Sequence, residues 1–168
     1  MAYRGAVMGA QSEAKLVLRA VRAQDVDAVV VLVRDVLAEF GLEFGAGSST
    51  DEALLSLPGS YEDHGGALWV AEHAGRLVGS CGVFPVAEHV YELRKMYLHP
   101  DSRGLGVGKR LLEQAIAWVR ASGGRRIVLD TTEQMTRAIG FYEAHGFVRD
   151  DAEIRGARCT RGYALDLV

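Results

Sequence analysis

The stretch Arg103-Gly104-Leu105-Gly106-Val107-Gly108 constrains this chain more than any other. Its three alternate glycines stand between an apolar, strand-like segment ending at Leu98 and a helical repeat of Leu111, Leu112, Ala115, Ile116 and Val119. Glycine has no Cβ, so a ligand can come close to the backbone. The first N–H groups of a helix lack intrahelical partners and lie at the positive end of its dipole, which suits a phosphate or pyrophosphate. Arg103 and Lys109 add charge for phosphate oxygens. A glycine costs a helix about 1 kcal/mol relative to alanine, a cost that a plain turn need not carry. Two familiar phosphate loops do not fit. A P-loop needs Ser or Thr after Gly-Lys, and here Gly108-Lys109 is followed by Arg110. A dinucleotide fingerprint needs G-x-G-x-x-G, whereas this loop reads G-x-G-x-G. Asp130 could stand in for its acidic residue, but the strand before the loop belongs to a hairpin meander rather than to an opening βαβ unit.

The flanking sequence supplies the frame. Residues 1–14 read as a loose tail, and residues 15–168 as one domain. Leu16, Leu18 and Ala20 mark a short strand. Val26, Val29, Val30, Val33, Leu37 and Phe40 form one helical stripe, with Asp25 and Asp27 in the first turn and Gly41 at the end. Residues 41–66 are irregular, with a short helix expected over Asp51–Leu57, and a loop of this length reads as a lid over a pocket. Strands are expected over residues 68–72, 77–84 and 90–98, with a tight turn at Ala74-Gly75-Arg76 and Pro100 closing the meander. After the glycine loop come a helix to Gly123-Gly124, a buried strand at Ile127–Leu129, and a helix to about His145. Thr131 and Gln134 suggest a capping box for that helix. One or two strands follow, at Phe147-Val148 and Tyr163–Leu167. The order predicts a mixed α/β domain, with helices packed on a largely antiparallel sheet.

Composition narrows the function classes. The chain has 168 residues, 49% apolar and 24% charged, with a net charge of −3 and no dense Lys/Arg block. This is a globular composition without the basic face of a nucleic-acid binder. No apolar run approaches the roughly 20 residues of a membrane span, and no sustained apolar stretch near Met1 suggests a secretory leader. Cytoplasm is the expected location. Cys81 and Cys159 have no zinc-ligand spacing and are expected to be reduced thiols; no metal site is expected.

Two motifs in register carry a resemblance. Arg103–Gly108 matches R/Q-x-x-G-x-G/A, and the segment Ala138–Phe147 matches A-x-x-x-Y-E-x-x-G-F. With Glu92–Pro100 as the strand leading into the loop, the chain resembles the GNAT (GCN5-related N-acetyltransferase) family over about residues 15–167, closest to its small-molecule bacterial branch. The resemblance implies a twisted sheet of six to seven strands flanked by about four helices, and acetyl-CoA as cosubstrate. By position, the backbone of Met96, Tyr97 and Leu98 would pair with the pantetheine arm, and the N–H groups from Arg103, Gly104, Leu105, Gly106, Val107 and Gly108 would hold the pyrophosphate. Tyr142 matches the tyrosine that protonates the leaving thiolate. Where many relatives carry an asparagine contacting the cofactor, this chain has Met135. A homodimer would be common for this resemblance.

The chemistry needs a base, because an ammonium must lose a proton before its nitrogen attacks a thioester. Glu92 is the first candidate and Asp130 the second. Period-two alternation places Glu92 on one face with Arg94, Met96 and Leu98. Phe40, Leu42, Glu43 and Phe44 are candidates for the acceptor pocket. The expected activity is direct acetyl transfer to a small-molecule amine. Acetylation of a protein or peptide, or acyl-CoA binding without catalysis, stand as alternatives.

Overall fold

The computed structural model describes residues 14–168, so apart from Ala14 the expected tail lies outside the described residues. The strands are β1 (Leu16–Ala20), β2 (Ala67–His73), β3 (Arg76–Ala87), β4 (Val90–Leu98), β5 (Arg126–Thr131), β6 (Val148–Arg149) and β7 (Arg161–Asp166). They form one sheet in the order β1-β2-β3-β4-β5-β7-β6. Neighbours are antiparallel except β4 and β5, which run parallel. The helices are α1 (Val26–Ala38), α2 (Ser49–Glu52), α3 (Gly59–Glu62), α4 (Val107–Ala121) and α5 (Thr136–Ala144). The expected mixed fold is thus borne out.

Two apolar cores hold the sheet between these helices. On one side Leu111, Leu112, Ala115 and Val119 of α4 and Ile139 and Tyr142 of α5 pack with Cys81, Val83, Leu93, Ile127 and Leu129. On the other, Val29, Val30, Val33 and Leu37 of α1 pack with Leu54, Tyr61, Leu68 and Val70. Burying both faces of the central strands explains why Ile127-Val128-Leu129 reads as an unbroken apolar run.

Local chemistry moved some boundaries. The segment expected to hold one short helix holds α2, a 3-10 turn at Ala53–Ser56, and α3. The second helical turn brings Tyr61 to complete burial, and a two-residue Pro58-Gly59 break did not announce it. The capping box at Thr131 does not form. Helix α5 begins at Thr136 with Met135 as its N-cap, and Thr132 Oγ1 instead accepts from Gln134 N at 3.5 Å. Both cysteines are free thiols.

The departure that matters most lies in β4. Ser80 faces Tyr97 and Gly82 faces Arg94, so two steps along β3 meet three along β4. The extra residue is a bulge, and Lys95 takes φ 54°. A bulge shifts the side-chain alternation by one. Leu93, Met96 and Leu98 therefore pack with the α4 core, while Tyr97 packs with the α1 core. Arg94 lies over the Phe84 ring at 4.2 Å, and Lys95 pairs with Asp51 on that same α1 side. The expected shared face of Glu92, Arg94, Met96 and Leu98 is thus broken at the bulge. Ser80 Oγ, fully buried, donates to the Lys95 carbonyl at 2.7 Å and fixes the distortion. Ser80→Ala should lower the unfolding free energy by about 1–3 kcal/mol in urea titration, the cost of leaving a buried polar group without its partner.

Candidate active site

Strands β4 and β5 pair only at Val90–Arg126, Tyr91–Ile127 and Glu92–Val128. Beyond Glu92 their pairing stops: β4 enters its bulge, while β5 keeps only β7, the partner on its other edge, as far as Thr131. The gap is filled from one side by the N-terminal end of α5. It leaves two cavities that meet in the middle, with Met96, Tyr97, Met135, Ala138 and Tyr142 lining both.

The first cavity, about 410 Å³, lies beside the start of α4. Its walls include Leu98, Arg103, Gly104, Gly106, Gly108 and Lys109, as well as Phe40 and Arg137. Gly104 and Gly106 have φ 78° and 79°, a left-handed backbone that glycine adopts without strain. Gly106 is the N-cap of α4, and a Cβ built on it would meet nothing within 4 Å. The first intrahelical bond there runs from Arg110 N to Gly106 O at 3.1 Å, so the N–H groups of Val107, Gly108 and Lys109 have no intrahelical acceptor. This open, electropositive end is the cradle foreseen for a pyrophosphate. The side chains divide the work differently from expectation. Arg103 is clamped to Glu39 by bonds of 2.7 and 2.8 Å and also donates to Leu98 O at 3.0 Å, so it ties the loop to the end of α1. Lys109 is mostly exposed and pairs only loosely with Glu113, at 3.9 Å. Leu105 points outwards, 70% exposed. Arg137, which the motif did not single out, approaches the cradle, with its Nη2 3.8 Å from a Cβ built on Gly104.

The second cavity, about 420 Å³, lies on the other side of the gap. Glu92, Arg94, Lys95, Asp130, Thr131 and residues 46–50 and 155–159 line it. Glu92 sits at the last paired position before the strands separate, 6% exposed, with Arg94 Nη2 donating to its Oε2 at 3.2 Å. Asp130, the other candidate base, is committed elsewhere. Its Oδ2 accepts from the N–H groups of Arg155 and Gly156, both at 2.7 Å, and so folds that loop against the sheet. Phe40 lines the first cavity, and Leu42, Glu43 and Phe44 line neither. The loop reaches the second cavity through residues 46–50 instead, because Phe40, Leu42 and Phe44 pack against the α1 core.

Tyr142 stands where the cavities join, packed between Phe141 and Phe147 with ring centroids 5.6 Å away in each case. Burial holds its hydroxyl well above the usual tyrosine range, so the side chain is neutral and protonated at any physiological pH. Met135, which replaces the expected amide, is also at this junction and accepts from Thr131 Oγ1 at 3.6 Å.

A buried charge cluster holds the second cavity together. Asp51 is completely buried. It accepts from Lys95 Nζ, from Arg158 Nη1 at 2.9 Å and Nη2 at 3.2 Å, and from Gly45 N at 2.9 Å. Burial pushes its carboxyl up, but the bonds from Arg158 and Lys95 outweigh that and hold it below its ordinary range. Burial pushes the Lys95 ammonium down despite the bond to Asp51. Asp51 and Arg158 are 107 residues apart in sequence, and no spacing rule could have joined them.

Residues 33–147 match the profile of the Acetyltransferase (GNAT) family. The chain belongs to that family. It is an acyltransferase, an N-acetyltransferase of the GNAT type. Among its relatives, an Escherichia coli protein named as an uncharacterized N-acetyltransferase, YjgM, is 37% identical over 80% of this chain and 83% of its own length. A Schizosaccharomyces pombe protein, also named as an uncharacterized N-acetyltransferase, is 30% identical over 74% and 77%. A GNAT-family acetyltransferase from Staphylococcus aureus shares the fold with a TM-score of 0.85 at 20% identity, covering 92% of this chain and 100% of that one. A Salmonella typhimurium structure described as a putative acetyltransferase with its cofactor acetyl-CoA superposes with a TM-score of 0.74 at 18% identity, covering 92% and 95%. Among the described residues no helix is long and apolar enough to cross a membrane.

The Asp51 cluster joins three segments that wall one cavity, so its loss should be costly. Asp51→Asn should destabilise the fold at pH 7 by about 3–5 kcal/mol, since it leaves buried cations without a counter-charge. The folded carboxyl lies below its unfolded value, so its contribution is complete above that value and fades as pH falls through the folded one. Urea titrations from pH 7 downward should therefore show the wild type and Asp51→Asn converging only in acid.

Proposed function

We propose that this enzyme transfers an acetyl group from acetyl-CoA to the amine of a small molecule, directly and without an acyl-enzyme. The observation that carries the proposal is the meeting of two cavities at Tyr142, one beside the open start of α4 and the other beside Glu92. Acetyl-CoA supplies the thioester that acylates the amine. The N–H groups of Val107, Gly108 and Lys109 would hold its pyrophosphate, with Arg137 near enough to add charge. Among the described residues the β5-facing edge of β4 beyond Glu92 has no strand beside it, and Met96–Leu98 would pair there with the pantetheine arm as with an added strand.

In the second cavity Glu92 would take the proton of the acceptor ammonium, directly or through water, and so free the nitrogen lone pair. A strand N–H near the bulge, around Met96–Leu98, would donate to the carbonyl oxygen as it gains negative charge. Tyr142, kept protonated by burial, would give its proton to the departing thiolate and regain one from the acetylated nitrogen, directly or through water, while the proton on Glu92 passes to solvent. A small acceptor fits better than a peptide lying across the surface, because residues 46–50 and 155–159 wall the second cavity on the side away from the sheet.

Acetyl-CoA at about 100 times its dissociation constant should stabilise the protein by about 2.7 kcal/mol, read as a rise in Tm. Gly106→Val, which strains a left-handed backbone and fills the cradle, should remove most of that rise; an undiminished rise would place the cofactor elsewhere. Tyr142→Phe and Glu92→Gln should each keep the rise while lowering kcat by about 10²–10⁴-fold, measured as CoA release. A Tyr142→Phe rate equal to wild type across pH would contradict the acid role.

A further inference from the structure

We propose that the acceptor is an amine that also carries a carboxylate, as an amino acid does, and that Arg158 reads that carboxylate. The inference rests on the proposed activity and names the substrate class for the same site.

Arg158 lines the second cavity from the loop between β6 and β7. A guanidinium has five N–H donors, which form two forks: one across the terminal nitrogens and one across Nε and its neighbouring Nη2. The terminal fork is spent on Asp51, through Nη1 at 2.9 Å and Nη2 at 3.2 Å. The remaining Nη1 hydrogen goes to Glu43 O at 2.8 Å. That leaves Nε and one Nη2 hydrogen, the second fork, without an acceptor among the described residues. The Arg158 side chain is 24% exposed, whereas Asp51 beneath it is wholly buried. A buried carboxylate thus grips one edge of the guanidinium and holds it rigid, while the other edge of this cavity-lining side chain has no acceptor among the described residues. A fork of this geometry matches the two oxygens of a carboxylate.

The charge around it agrees. Asp51 serves two cations, Lys95 and Arg158. The carboxylates that line the cavity lie apart from Arg158 in their bonding, Glu92 with Arg94 and Asp130 with two backbone N–H groups. Arg155 is paired with Glu153 at 2.9 Å. Lys95 and Arg158 thus share a single carboxylate, and an anionic group bound at the free fork of Arg158 would add a second anion beside the two cations. With Glu92 as the site for the ammonium, the cavity then offers one acidic and one basic station, a match for a small zwitterion. Its volume of about 420 Å³ accommodates a molecule of that size.

The test is a CoA-release assay over the twenty standard amino acids, their α-amides, and the amines left when the carboxylate is removed. In the wild type the better amino acids should exceed their own amides and decarboxylated amines in kcat/KM by about 10-fold or more, the worth of a charge-assisted hydrogen-bonded pair. Arg158→Gln should collapse that ratio towards one, and Arg158→Lys, which keeps the charge without the fork, should restore only part of it. The acetyl-CoA rise in Tm checks that each variant is folded, and the wild-type ratio is decisive even if neither variant folds. Decarboxylated amines acetylated as well as their amino acids would overturn the inference and leave the acetyltransferase reading standing. An unchanged ratio in a folded Arg158→Gln would remove Arg158 from the role. No transfer to any member of the panel, with acetyl-CoA bound, would contradict the small-molecule reading and this inference together.

Discussion

Everything at the centre of this molecule follows from the short partnership of β4 and β5, which ends at Glu92 and Val128. A fully paired sheet would be closed there, and its central strands would have no free edge. Pairing instead stops just before the bulge at Lys95, and beyond it β5 is paired only with β7, on its far edge. The opening leaves backbone edge and side chains of both core faces beside one gap. The start of α4 then lies on one flank, the charged loop of residues 155–159 on the other, and Tyr142 between them.

The bulge also sets the division of labour along β4. Before it, Leu93 packs with the α4 core; after it, Met96 and Leu98 do, and without the extra residue one of the two sets would point away. The same shift sends Lys95 to the buried carboxylate of Asp51. A single inserted residue thus lets one strand send apolar side chains to the α4 core and charged ones to the opposite face. Ser80 maintains it by giving the Lys95 carbonyl a partner.

Much of this was legible in the sequence, and for identifiable reasons. The α4 stripe and the glycines before it obey local rules, so both the helix and its open start could be read directly. Tyr142 and Glu92 could be named because the motif and the strand position fix them, and the structure places both at the gap. The bulge was hidden, because nothing in Arg94-Lys95-Met96 distinguishes a bulged strand from a regular one until its partner is known. In the sequence Asp51 reads only as the start of a short helix, and its burial goes with Arg158, which no local pattern links to it. The segment of residues 41–66 reads as a lid, with Phe40, Leu42, Glu43 and Phe44 towards a pocket; residues 46–50 line the second cavity instead, while Phe40, Leu42 and Phe44 pack against the α1 core. Long-range ionic contacts and strand irregularities are where single-sequence reasoning ended.

The central claim is that the gap between β4 and β5 and the start of α4 together hold acetyl-CoA. Amide hydrogen exchange, followed residue by residue by NMR with and without acetyl-CoA, tests this most directly. Slowed exchange is expected at Val107, Gly108 and Lys109 and along Met96–Leu98, with little change at the outer strands β1 and β6. Protection confined to other parts of the surface, with those amides unaltered at saturating acetyl-CoA, would contradict it.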